Sequence, residues 1–196
     1  AAGDNERRDI ARFAVKPSNT QLANPFNQMY RGIERANICI YNIPKMDMYN
    51  NGTESEKAQL RRLHGEALTL RAQFYQELIR NWGDVPAQFL PSSFEADLFK
   101  GKTDRDSIYN VLLEDLAIAT TLIPWRSQAG STNERITRGA VHALRARIAL
   151  AAGGYSLRRA SRQMERRSDY KDYYVIARAE CDPINQSNEH KLNPSF

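Results

Sequence analysis

Three histidines, His64, His142 and His190, are the side chains to which acid–base chemistry would first be assigned. An imidazole serves as a base when a nucleophile, a carboxylate or a second ligand stands at a fixed spacing from it, and none of the three has such a companion in the sequence. His64 and His142 fall within helix-forming runs, where they read as surface or packing residues, and His190 lies in a polar tail. The patterns H-x-x-x-H, C-x-x-C, G-x-S-x-G, Walker A and G-x-G-x-x-G do not occur, so the spacing needed for metal hydrolysis, nucleophilic catalysis and nucleotide binding is missing.

Carboxylates are plentiful, and the pair Glu114 and Asp115 invites comparison with a glycosidase, in which one acid protonates and the other attacks or activates water. Neighbouring helix positions point about 100° apart, however, so these two do not flank one bond. Glu66, followed by Arg71, is read as an ion pair or hydrogen bond between helices. No catalytic residue, cofactor or metal ligand is expected.

The strongest charge feature is Arg158, Arg159, Arg162, Arg166 and Arg167. Such a cluster can track a phosphate backbone. It is diluted by Glu165, Asp169 and Asp172, and is read as a solvated face or as arginines paired with a neighbouring helix's acids; no nucleic-acid partner is expected. Tyr170, Tyr173 and Tyr174 beside it are assigned to helix packing. Asn51-Gly52-Thr53 fits a glycosylation sequon but is accounted for as a turn and a helix cap. Cys39, between Ile38 and Ile40, is expected to be a buried apolar thiol. Trp82 and Trp125 mark helix exits, where an indole either stacks on a sugar or covers the end of the core; covering the core is preferred, above all for Trp82.

These side chains must be carried by helices. The chain has 196 residues, 41% of them apolar, and a net charge of +5, enough for one domain-sized core. No apolar run approaches the roughly 18 residues of a membrane span, and two cysteines are too few for a disulfide scaffold or a four-ligand zinc site. Residues 1–24 are polar and weakly patterned, and are expected to be mostly loop with at most a short helical turn. Asn24-Pro25 looks like a helix cap followed by proline at the first turn, leading into Tyr30, Ile33, Asn37, Ile40 and Tyr41, with Ile43-Pro44 as the stop. Thr53 and Glu56 form a T-x-x-E capping box, after which Leu60, Leu63, Ala67, Leu70, Phe74 and Leu78 are expected on one face up to Gly83 and Pro86.

A third helix is predicted from Asp104 through Ile108, Val111, Leu112, Leu116 and Ala119 to Ile123-Pro124. A fourth, capped by Thr137, carries Val141, Leu144, Ile148 and Ala151, with Gly153-Gly154 expected to close it in left-handed or unstrained turn geometry. A fifth, over about 172–181, is expected to stop at Pro183. The even spacing of starts near Asp104, Arg138 and Asp172 is read as coincidence, because a tetratricopeptide period holds two helices. No strand is predicted. The class is all-α, and the small residues of the fourth helix, Ala140, Ala143, Ala146 and Ala149 among them, permit close helix packing.

Three ordered pieces then carry a resemblance: Tyr30-Arg31-Gly32-Ile33-Glu34-Arg35-Ala36-Asn37, Gly65-Glu66-Ala67-Leu68-Thr69-Leu70-Arg71-Ala72-Gln73-Phe74-Tyr75, and Trp82-Gly83-Asp84-Val85-Pro86. With Ile108-Tyr109, Glu114-Asp115-Leu116, Leu122-Ile123-Pro124 and the run 136–147, the chain resembles the SusD/RagB family of bacterial nutrient-binding lipoproteins over about 26–196. The resemblance implies irregular tetratricopeptide-like stacked helix pairs (SusD-like) over 25–196 behind a polar lead segment, 1–24. It also implies a lipid-anchored protein on the extracellular face of the outer membrane of Bacteroidetes bacteria. Such a protein captures glycans or other nutrients without bond chemistry and passes them to a SusC-like TonB-dependent porin.

Relatives of that kind are much longer. The chain is therefore expected to be an N-terminal part, with the leader, the anchor cysteine and a C-terminal region outside it, and the pattern is expected to continue beyond Leu192-Asn193-Pro194-Ser195-Phe196. Within the resemblance Gly83 closes a helix and Arg71 pairs with Glu66. Residue chemistry and loop position, not a family motif, nominate Arg12, Asn19, Gln21, Asn24 and Phe26 as one ligand surface and Trp125 as another. A helical protein-interaction scaffold without a small ligand is the alternative.

Overall fold

The first long helix starts at Asn19 and not at Asn24. Asn19 is extended (φ −66°, ψ 113°), its side-chain oxygen accepts from the Gln21 N–H, and its amide nitrogen donates to the Glu6 carbonyl at 2.9 Å. With the cap five residues upstream, Pro25 removes one hydrogen bond inside the helix instead of opening it. The computed structural model describes residues 6–129 and 134–190; the residues at which the pattern was expected to run on, Leu192 to Phe196, lie outside them.

Among the described residues seven α-helices follow in order: α1 (Glu6–Ala11), α2 (Thr20–Asn42), α3 (Asp47–Asn51), α4 (Glu54–Trp82), α5 (Arg105–Leu122), α6 (Arg138–Ala152) and α7 (Tyr170–Ser187). The Thr53–Glu56 capping box forms in full at the start of α4. Asp104 caps α5 through the Asp106 N–H. At the end of α4, Gly83 has φ +74°, a conformation L side chains rarely adopt. Pro183 lies inside α7 and does not stop it; the helix ends at Asn188 in the left-handed region. Gly153 is not left-handed (φ −80°). It is required by proximity, since a Cβ there would meet the Tyr170 carbonyl oxygen and the Tyr174 ring at 2.8 Å.

Each long helix packs antiparallel on the next, α2 on α4, α4 on α5, α5 on α6 and α6 on α7, which gives a single row of stacked helix pairs. Because α4 is covered on two sides, its buried arc is wider than a stripe. It runs through Leu68, Ala72, Tyr75, Leu78 and Ile79, and leaves Leu63 and Leu70, expected inside, exposed. Likewise Ala151 of α6 is exposed and Ala152 buried. The core joins these to Ile33, Ile108, Leu112, Leu116, Ile123, Val141 and Ile148. The sequence offered no strand, but Ser156–Leu157 (β1) and Met164–Glu165 (β2) pair as an antiparallel hairpin between α6 and α7, too short for alternation to signal it. Among the described residues no helix is long and apolar enough to cross a membrane.

Candidate functional site

The first half of the loop joining α4 to α5, residues 84–92, is fastened to the helices at almost every step. At its base Thr103 N–H donates to the Val85 carbonyl (3.0 Å), and Arg105 Nε donates to Asp84 Oδ1 (2.9 Å). Tyr30 of α2 donates to the Pro86 carbonyl at 2.6 Å. Tyr75 of α4 donates to the Gln88 carbonyl and accepts from its N–H (2.9 and 2.7 Å). Asn37 Nδ2 reaches the carbonyls of Gln88 and Leu90, and Arg71 Nη1 that of Phe89. Glu34 accepts from Gln88 Nε2, Ser92 N–H and Ser92 Oγ. Burial drives the phenol of Tyr30 well above its ordinary range and that of Tyr75 up to about 12, so both stay protonated donors.

Held this way, the loop presents Leu98 and Phe99 beside α2, with Phe99 96% exposed. A cleft of about 310 Å3 forms between Leu98, Phe99 and Lys100 on one wall and Phe26, Tyr30, Pro86 and Gln88 on the other. Phe26 also walls a neighbouring hollow of about 440 Å3 with Pro17, Leu22 and Trp82. Its ring packs on Tyr30 (4.8 Å between centroids) and edge-on against Trp82 (5.4 Å). Aromatic faces with fixed amide and ammonium groups at their edge suit a sugar, whose ring has apolar C–H faces and a hydroxyl rim.

The ligand residues proposed from sequence divide between two places. Phe26 lies in the cleft, and Asn24 is exposed two residues before it on α2. Asn19 is 3% exposed and spends both ends of its amide on the α1–α2 junction. Gln21 accepts from Arg7 Nε at that junction, and Arg12 is exposed just beyond α1. Trp125 is elsewhere. It follows the end of α5, which lies against Gly65, about 25 Å along α4 from Trp82. Its ring stacks on His142 (5.7 Å, 22°) with the Arg138 guanidinium over it, at the start of α6, whereas Trp82 is the indole that packs against the core. Leu98, Phe99 and Lys100 were missed by sequence reasoning; the signal was an apolar pair next to lysine in a Pro/Ser-rich loop.

The other side chains singled out for chemistry have structural partners. His64 Nδ1 lies 3.1 Å from Tyr49 Oη, and burial, aided by Arg71, holds its pKa below the usual value. His142 Nδ1 is 2.6 Å from Glu180, which also receives Arg145. Burial works to raise the Glu180 pKa, but His142 and Arg145 outweigh it and hold it low. Arg71 does not pair with Glu66. Five helix positions put them roughly 140° apart, so Arg71 turns inward to Asp115 while Glu66 takes Arg62 and Arg135. Asp115 is thus a structural anion, and Cys39 is exposed, not buried. Among the arginines, Arg158 binds Asp106 of the neighbouring α5, the pairing expected of part of that cluster, and Arg167 binds Asp169 two residues away.

Comparison with known proteins gives the same architecture. Residues 4–150 match the SusD-like family model described as starch-binding and associating with the outer membrane. The SusD-like protein P25 of Formosa agariphila is 30% identical over 105 residues, which cover 54% of this chain and 19% of that protein. A SusD superfamily protein from Parabacteroides distasonis superposes with a TM-score of 0.76 at 23% identity, over 95% of this chain and 36% of its own. Surface glycan-binding protein A from Bacteroides uniformis does so with a TM-score of 0.68 at 18% identity, over 94% of this chain and 36% of its own. The two structural likenesses show the fold. This chain spans about a fifth of the curated relative and about a third of the solved structures.

Proposed function

The chain belongs to the SusD-like family, and from that premise we propose that it captures an oligosaccharide by ring stacking and hydrogen bonding, without bond chemistry. The observation that carries this reading is the cleft between Phe26 and Phe99: an aromatic ring 96% exposed, on a loop held at its base by two helices, lines one cleft with Tyr30 and the packed Phe26. Exposing such a ring disfavours a purely structural role, since a buried phenylalanine stabilises and an exposed one does not. The name of the Bacteroides uniformis protein, a glycan binder of the same fold, supports the ligand class. The structural pairing of His64, His142 and Asp115 supports binding over catalysis.

On this reading the protein is lipid-anchored at the extracellular face of the outer membrane and hands its ligand to a SusC-like TonB-dependent porin. Asn24 and Phe26 contribute to the ligand surface, with Arg12 at its margin; Asn19 and Gln21 hold the α1–α2 junction beside it, and Trp125 packs on α6 away from it.

Affinity electrophoresis in gels containing soluble starch or other neutral glucans tests the proposal. Retardation by at least one glucan, weakened several-fold in Phe99→Ala with an unchanged melting temperature, is the expected result. Folded protein that no glucan retards would instead leave a helical interaction scaffold without a small ligand.

A further inference from the structure

We propose that a second cleft, between the end of α4, the start of α5 and the β hairpin, is a subsite for sulfated or carboxylated sugars, so that the captured glycan is anionic. The cleft has a volume of about 590 Å3 and is lined by Trp82, Lys102, Arg105, Arg158, Arg159 and Arg162, with Leu157 and a single carboxylate, Asp84. Two of these cations are fixed in place. Arg105 donates to Asp84 and to the Leu157 carbonyl (2.9 and 3.2 Å), and Arg158 Nη1 donates to Asp106 (2.7 Å). Arg158 Nη2 is buried with no hydrogen-bond partner among the described residues. No described carboxylate pairs with Lys102, Arg159 or Arg162. A concave surface with this excess of cations draws anions, and a guanidinium fork matches the oxygens of a sulfate or carboxylate.

Backbone geometry adds a second observation. Arg162 sits in the turn of the hairpin at φ 57°, where glycine would be free of strain, and its N–H donates to the Arg158 carbonyl. A position that favours glycine for the fold carries instead an arginine that lines this cleft. Trp82 belongs both to this cleft and to the hollow it shares with Phe26, so the two surfaces adjoin around one indole. A sugar stacked on aromatic rings can therefore present its acidic groups to the arginines; in this respect the inference rests on the glycan-capture reading. Nucleic acid fits less well. A phosphate backbone needs cations strung along a groove, whereas these converge on one hollow backed by Asp84 and Asp106.

Titration of the full chain with sulfated dextran oligosaccharides, oligogalacturonate, neutral malto-oligosaccharides and single-stranded DNA tests it. The expected result is binding of at least one anionic sugar more tightly than its neutral counterpart, weakening as salt rises. The Arg159→Ala/Arg162→Ala double variant should lose roughly tenfold of that affinity, the scale of one lost charged hydrogen bond. Arg162→Gly, which suits the turn, should lose affinity while keeping or raising the melting temperature. Anionic sugars bound no better than neutral ones, affinity indifferent to these substitutions, or DNA bound more tightly than any sugar would each overturn the inference. Neutral glucans bound without anionic preference overturn it alone; no sugar bound at all overturns the glycan-capture reading with it.

Discussion

Arg71 and Asp115 meet face to face in the middle of the α4–α5 interface. Nε donates to Oδ2 at 2.9 Å and Nη2 to Oδ1 at 2.8 Å, with side chains only 5% and 10% exposed. Nη1 continues to Asn37 Oδ1 of α2 (2.9 Å), so one guanidinium ties three helices and the loop. Removing it strands a buried carboxylate, and Arg71→Ala should cost about 3–5 kcal/mol in urea unfolding. Burial pushes the Asp115 pKa up, and Arg71 opposes that push. Without Arg71 the rise is unopposed. A folded-state pKa above the unfolded one stabilises at low pH and is lost as pH rises through it, so the variant's deficit relative to the unaltered protein should shrink on acidification. A deficit equal at pH 4 and pH 7 would refute this.

Close helix approach is tested at Gly65. A Cβ there would lie 2.7 Å from Ile123 Cγ1 and 3.1 Å from Leu122 Cβ, and Ile123 is fully buried. Gly65→Val should lower stability by about 2 kcal/mol through overpacking. Gly101→Ala, in open space, serves as the control and should leave the melting temperature unchanged.

The α6–α7 interface should show in the acid limb of the stability curve. Glu180 has its pKa held below the ordinary value, so its contribution is present above the unfolded pKa and fades as pH falls through the folded one. Glu180→Gln removes that titration and the charge-assisted bonds to His142 and Arg145. The expected loss is about 2 kcal/mol at neutral pH, narrowing below pH 4. Thermal melts from pH 7 to pH 3 would check it, and parallel curves for the two proteins would contradict it.

What the sequence disclosed was what short spacing encodes. Thr53 and Glu56 are three residues apart and make their box through local bonds, so the start of α4 was legible. The ends of α5 were equally local. Two prolines misled, because Pro25 and Pro183 each sit in a helix that its neighbours stabilise despite one missing bond. The partner of Arg71 lies 44 residues away, beyond any local pattern, while Glu66 was near in sequence but on the wrong side of the helix. Phe99 was hidden for a related reason: the first half of its loop is fixed by Glu34, Asn37 and Tyr75, far away in sequence, and the loop's own sequence has no periodicity.

That dependence makes Glu34 the link between scaffold and ligand surface. Its carboxylate receives three donors from the loop, at 2.8 Å from Gln88 Nε2, 3.0 Å from Ser92 N–H and 2.8 Å from Ser92 Oγ. Glu34→Ala leaves the apolar core untouched, since Glu34 is not part of it. The loop loses its charge-assisted anchors, worth about 1.5–3 kcal/mol each when fully made. Local opening should therefore increase while global stability falls less. Hydrogen exchange of the amides over residues 88–100 should speed up, and retardation by a neutral glucan should weaken together with it. Faster exchange with unchanged glucan binding would separate Phe99 from the ligand surface. Unchanged exchange would show that Tyr75 and Asn37 hold the loop without Glu34.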